Sequence, residues 1–179
     1  MPDQPLAYFL TFTTYGTRLH GDDRGSVDRD HNGYGTPLLP PDPFARNAAR
    51  RMMTQEPYLL DEPRRNLVRD AIVEECRFRG WDLLALHVRT NHVHVVVTAE
   101  RAPDFVTRAC KANASKRLNR AGFECRDRHR WTDGGSTKYL WREDAVEEKV
   151  AYTLHEQGEP MAVYDPSDNR SRSASDGPH

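Results

Sequence analysis

Short runs of alternating side-chain character punctuate this chain, and between them apolar positions recur every three or four residues. The first run, Tyr8-Phe-Leu-Thr-Phe-Thr-Thr-Tyr15, is rich in aromatic and β-branched types and stops at Gly16, which predicts a strand. Alternation sets Phe9, Thr11 and Thr13 on one face of it and Leu10, Phe12 and Thr14 on the other. Trp81 to Val88 reads as a second strand and His92 to Thr98 as a third. Arg89-Thr90-Asn91 forms a tight turn that makes them a hairpin. Thr137-Lys-Tyr-Leu-Trp141 is a fourth.

The helical pattern is equally clear. Asp61-Glu62-Pro63 is a capped helix start, and Leu67, Val68, Ile72, Val73 and Cys76 then share one face until Gly80 ends the helix. Asp104 to Ala121 predicts another, with Phe105, Val106, Ala109, Cys110 and Leu118 inward and most basic residues outward. A third opens at Glu143 or Asp144 and runs through Val146, Val150, Tyr152 and Thr153 to about Glu156, with Gly158 and Pro160 beyond it. The order is strand, helix, strand, strand, helix, strand, helix. Its first six elements match the α+β, ferredoxin-like (RRM-like) split βαβ pattern: an antiparallel sheet with helices on one face.

Between Thr17 and Pro43 the chain is rich in Gly, Asp, His and Pro and has no period, which predicts a long surface loop. Within this 17–60 insertion, Ala48, Met52 and Met53 mark a short helix from Phe44 to Gln55. One domain is expected over residues 1–163, followed by a disordered tail over 164–179 whose Ser, Asp, Arg and Gly residues have nothing to bury.

Composition narrows the class. The chain has 179 residues, 30% of them charged and 37% hydrophobic, and no apolar run approaches the roughly 18 residues of a membrane span. Met1-Pro-Asp-Gln-Pro lacks the features of a signal peptide, so a cytoplasmic location is expected, nucleoid-associated when bound to DNA. Cys76, Cys110 and Cys125 have neither pairing number nor metal-knuckle spacing and suit reduced thiols. The formal net charge of −1 hides an asymmetry: from Arg101 to Arg142 eleven basic residues face four acidic ones. That local excess of seven is a candidate footprint for a polyanion.

The chemistry centres on Thr90-Asn-His-Val-His-Val-Val-Val-Thr98. On a strand, His92 and His94 point the same way while Val93 and Val95 pack behind them, which makes half of a divalent metal site. The last helix offers Tyr152 and, four residues on, Glu156 on the same face, with Gln157 beside it. A tyrosine beside a metal is a candidate nucleophile. Tyr139, near a strand end, competes for that role but has no ligand-bearing helical neighbour. His155 reads as solvent-facing, and His87 as structural or as a donor to a metal ligand. Lys111, Lys116, Arg117 and Arg120 are candidate phosphate contacts. Trp131 and Trp141 are candidate stacking platforms or core residues.

These residues carry a family resemblance. His92-Val93-His94 matches the His-hydrophobic-His (HUH) motif of the HUH endonucleases, and the helix bearing Tyr152 resembles the one that carries their single nucleophilic tyrosine. The pattern is most similar to the REP-associated tyrosine transposases, relatives of the single-tyrosine insertion-sequence transposases. It extends from about Tyr8 to Met161 and includes Trp-Arg-Glu-Asp leading into the tyrosine helix. The resemblance implies a metal-dependent endonuclease and strand transferase acting on single-stranded, hairpin-forming DNA through a 5′-phosphotyrosine link. His92 and His94 would bind Mg²⁺ or Mn²⁺ and Tyr152 would attack. The third ligand, a Gln or Asn one turn after the tyrosine in that family, is Glu156 here, with Gln157 as the alternative. Whether the site is built within one chain or across a homodimer stays open. Two other readings remain: a non-catalytic single-stranded nucleic-acid-binding module of the same fold, and a phosphodiesterase using activated water.

Overall fold

A computed structural model of the chain describes residues 4–18 and 40–168. Its elements are β1 (Ala7–Thr13), α1 (Pro43–Met52), α2 (Glu62–Arg79), β2 (Asp82–Val88), β3 (His92–Thr98), α3 (Pro103–Arg120), β4 (Ser136–Leu140), α4 (Glu143–His155) and β5 (Ala162–Tyr164). The strands form one sheet in the order β4-β1-β3-β2-β5, every pair antiparallel. This is the α+β, ferredoxin-like arrangement that the element order predicts, with the histidine strand β3 at its centre. Most of the predicted long loop and tail falls on residues 19–39 and 169–179, which lie outside the described residues. None of the described helices is long and apolar enough to cross a membrane.

The alternation of β1 and β3 divides the sheet into two faces. Tyr8, Leu10 and Phe12 of β1 join Val93, Val95 and Val97 of β3 in the larger core, together with Val68, Ala71, Ile72 and Cys76 of α2 and Val106, Cys110, Ala114 and Leu118 of α3. Phe9 and Val96 belong to the opposite face, where α4 covers them with Val146, Val150, Tyr152 and Leu154. So α2 and α3 share one face, and α4 lies alone on the other. The caps of α2 are those its sequence announces: the Asp61 side chain accepts from Arg64 N, and Gly80 takes the left-handed conformation at its end.

Two features lie beyond the predicted pattern. The first is β5, three residues that pair with the outer edge of β2. The second is a bulge at Leu84 in β2, where Leu83 pairs with Val97 and Ala85 with Val96. An extra residue shifts the side-chain phase of everything after it. Here it leaves Leu83 and Leu86 in the larger core and turns His87 to the α4 face, opposite His94.

His87 fastens α4 there. It is fully buried; its Nδ1 lies 3.1 Å from Thr153 O at the end of α4, and Met161 N donates to its Nε2 at 3.1 Å. One neutral ring therefore ties the helix and the lead-in to β5 to the sheet, a structural role of the kind expected for it. Burial holds its pKa below the ordinary 6.5. A depressed folded-state pKa means that this contribution is complete above about pH 6.5 and is lost as pH falls through the lowered value. We expect His87→Ala to cost about 3 kcal/mol in urea unfolding at neutral pH, from the cavity and the two abandoned backbone groups. The loss of stability on acidification to about pH 5 should also be shallower in the variant than in the parent.

Candidate active site on the α4 face

The face of the sheet beneath α4 gathers aromatic and polar side chains around β3. Register sets Thr13 opposite His92 and Thr11 opposite His94. The two imidazoles stand 4.8 Å apart between ring centres and 75° to one another. His92 Nδ1 is 2.7 Å from Asn91 Oδ1. The amide oxygen can only accept, so Nδ1 carries the proton and Nε2 is the lone-pair nitrogen. His94 Nδ1 is 2.9 Å from Thr11 Oγ1, and its ring stacks on Phe9 at 5.5 Å and 12°.

His94 is only 7% exposed, and its pKa is pushed down to about 3. Desolvation is the main cause, reinforced by the nearby His92 and His87 and opposed by a hydrogen bond with the Gln157 side chain. At neutral pH this ring is therefore an uncharged imidazole, the form in which histidine ligates metals.

Tyr152 comes to this cluster from α4. Its ring meets His94 edge-on at 5.9 Å and Phe9 edge-on at 5.9 Å. Lys149, one turn earlier, holds Nζ 5.2 Å from the Tyr152 ring centre while paired to Glu148 at 2.6 Å. Tyr139 is excluded from the cluster. It pairs with Tyr8, packs edge-on against it at 5.5 Å and so belongs to the opposite face of the sheet.

The expected third ligand is not where the helical spacing set it. α4 ends at His155, and Glu156 is the cap residue, exposed and off the helical path. Among the described residues no three His, Cys, Asp or Glu side chains gather as a metal site, so Glu156 does not join the histidines. Gln157 turns inward instead. Its Nε2 donates to Tyr152 O at 3.4 Å, which leaves its oxygen for the hydrogen bond with His94. Gly158 follows with φ +76, a conformation that suits glycine and bends the chain away. As the bond between His94 and Gln157 stands, the His94 nitrogen facing Gln157 carries the proton; with the proton moved to Nδ1, facing Thr11 Oγ1, two imidazole nitrogens and the amide oxygen would be the donors for a divalent cation.

The residues singled out for DNA contact lie elsewhere. Lys111, Lys116, Arg117 and Arg120 all belong to α3, on the far face of the sheet from His92, His94 and Tyr152. Lys111 is an internal strut: its ammonium donates to Thr132 O at 2.7 Å and to Gly134 O. Desolvation brings its pKa down to about 8. Arg117 pairs with Glu74 of α2 at 2.5 Å, while Lys116 and Arg120 are exposed. Trp131 packs edge-on against Phe12 at 5.3 Å and donates from Nε1 to Ser115 Oγ at 3.0 Å, so it anchors the loop before β4. Trp141 is 49% exposed and stacks on Tyr139, also away from the cluster.

Three members of the site were not singled out from the sequence. Lys149 had a signal, because it stands three residues before Tyr152 and shares its helix face. Asn91 adjoins the first histidine but reads as an ordinary turn residue. Thr11 depends on strand register, which pairs residues 83 positions apart.

No protein-family model matches the chain, and no curated protein matches it in sequence. Among solved structures it is similar to a REP-associated tyrosine transposase bound to a REP hairpin. The TM-score is 0.47 and the identity 12%, covering 86% of this chain and 67% of that one. So slight a likeness assigns neither family nor activity.

Proposed function

We propose that this protein is a metal-dependent, tyrosine-mediated endonuclease and strand transferase acting on single-stranded DNA, transposase-like, with hairpin-forming elements as its targets. The observation that carries this reading is the packing of Tyr152 edge-on against His94, one of two histidines turned to the same side of β3. A tyrosine against one imidazole, with a second imidazole beside that ring, supplies the parts that phosphodiester transfer needs.

In this reading Tyr152 Oη gives up its proton and forms a bond to the scissile phosphorus as the P–O3′ bond breaks. The departing 3′ oxygen takes up a proton, and the 5′ phosphate stays on the tyrosine. Attack by a 3′-OH reverses the step, so strands are joined without a nucleotide cofactor. His92, His94 and Gln157 would hold Mg²⁺ or Mn²⁺, which when bound supplies charge to a phosphoryl oxygen. Thr11 and Asn91 orient the two rings, as partners of ligating histidines commonly do. Lys149 sets positive charge beside the Tyr152 ring, where a phosphate must approach.

The binding-module reading loses support from α4. An RNA-recognition sheet stacks bases on the face opposite its helices. Here that face is closed by Val146, Val150, Tyr152 and Leu154.

Labelled single-stranded DNA incubated with the protein and Mn²⁺ should give a protein-linked band on a denaturing gel. Tyr152→Phe should lower its formation by roughly a thousandfold or more. Cleavage persisting in that variant without the linked band would replace this reading with water activation. A second comparison tests the donor set. We expect Gln157→Ala to reduce metal-dependent cleavage about 10- to 100-fold and Glu156→Ala to change it little. The reverse ranking would return the third position to Glu156.

A further inference from the structure

A cleft opens at the end of β1, between α1 and the segment before β4. This cleft of about 560 Å³ is lined by Tyr15, Met52, His129, Trp131 and Thr132, with Arg18 and Asp133 as its two oppositely charged residues. Its size falls within the roughly 300–1,000 Å³ of small-molecule sites. Tyr15 and His129 meet edge-on at 5.2 Å on its wall, and Tyr15 Oη accepts from Thr54 N at 3.1 Å, which ties the end of α1 to the end of β1.

Helix α1 is unusual in burying none of its residues. It carries Arg46, Arg50 and Arg51 and no acidic residue, and Phe44 and Met52 are more than four-fifths exposed. A helix with this charge and no core of its own is complementary to a polyanion. The cleft beneath it reaches the candidate site through one residue. Thr132 lines the cleft, and its Oγ1 is 2.8 Å from Oγ1 of Thr13, the register partner of His92.

We infer that the cleft seats a nucleotide next to the scissile phosphate, with its base against Tyr15 and His129 and the strand's onward phosphates on Arg50 and Arg51, which stand between Ala49 and Met52 of the cleft wall. This rests on the reading of the α4 face as a DNA-cleaving site and adds the path by which the strand enters it. Bases of any kind stack on aromatic side chains, and flanking cations track the backbone, so the seat suits single-stranded DNA.

The test is fluorescence anisotropy of a labelled single-stranded oligonucleotide against the full chain carrying Tyr152→Phe, so that no covalent step intervenes. Adding Arg50→Ala and Arg51→Ala together should weaken binding about tenfold and lower the log–log salt slope by about 1.4, the share of two phosphate contacts on a single strand. His129→Ala should weaken binding roughly tenfold with the slope unchanged, as loss of a stacking partner does. Lys116→Ala with Arg120→Ala, equally exposed on α3, should stay within about twofold. Unchanged affinity and slope in the α1 variant, or a loss confined to the α3 variant, would overturn the inference. Failure of the enzyme reading would look different: the unmodified chain would form no DNA-linked band, yet binding would still depend on α1.

Discussion

The two-residue period of β3 is the constraint on which the rest depends. Because β3 is the central strand, its odd-numbered valines commit the sheet to a core with α2 and α3. The same geometry turns His92, His94 and Val96 the other way. That second face could not stay in water with Phe9 and Val96 on it, and α4 supplies the cover. A slip of one residue in the pairing of β1 with β3 would bury the histidines among valines and expose the valines to α4. Core packing and the alignment of the two imidazoles are therefore one specification.

Much of this was legible because period and caps are local. The strands, the start and stop of α2, the hairpin and the shared direction of His92 and His94 all follow from neighbours in sequence. What escaped was set by longer-range geometry. The bulge at Leu84 turns His87 toward His94, but nothing in Asp-Leu-Leu-Ala-Leu-His announces an extra residue. The strand β5 has only three residues and exists because the edge of β2 accepts it. Helical spacing from Tyr152 reaches Glu156, one residue past the end of the helix. With the turn at Glu156, the inward position passes to Gln157.

A count of charges along the chain does not say where those charges are held. The excess of basic residues between Arg101 and Arg142 is real, yet much of it is consumed inside the protein. Lys111 is spent on two loop carbonyls and Arg117 on Glu74. Arg128 holds backbone carbonyls of Glu56 and Pro57. Arg130 is buried beside Glu124, bonded to Asn119 and the Phe123 carbonyl. Lys111, Arg128 and Arg130 fasten the segment before β4, and Arg117 ties α3 to α2. Helix α1, outside the counted stretch, has fewer charges but buries none of its residues. Position, not number, decides what a phosphate would meet.

The same fastening bears on how the candidate site is assembled. Tyr152 stands against His94 of its own chain. Only Trp141 and Arg142 separate α4 from β4, so the start of the helix is fixed to one edge of the sheet. Its end is fixed at the other edge, through the bonds of His87 to Thr153 and Met161 and through the pairing of β5 with β2. Sending Tyr152 to a second chain would break that pairing, empty the buried His87 contacts and uncover Phe9 and Val96. Each of those losses costs free energy, and an exchanged helix recovers them only by docking on an identical sheet. The geometry that covers the second face is thus also what brings Tyr152 to the histidines of its own chain.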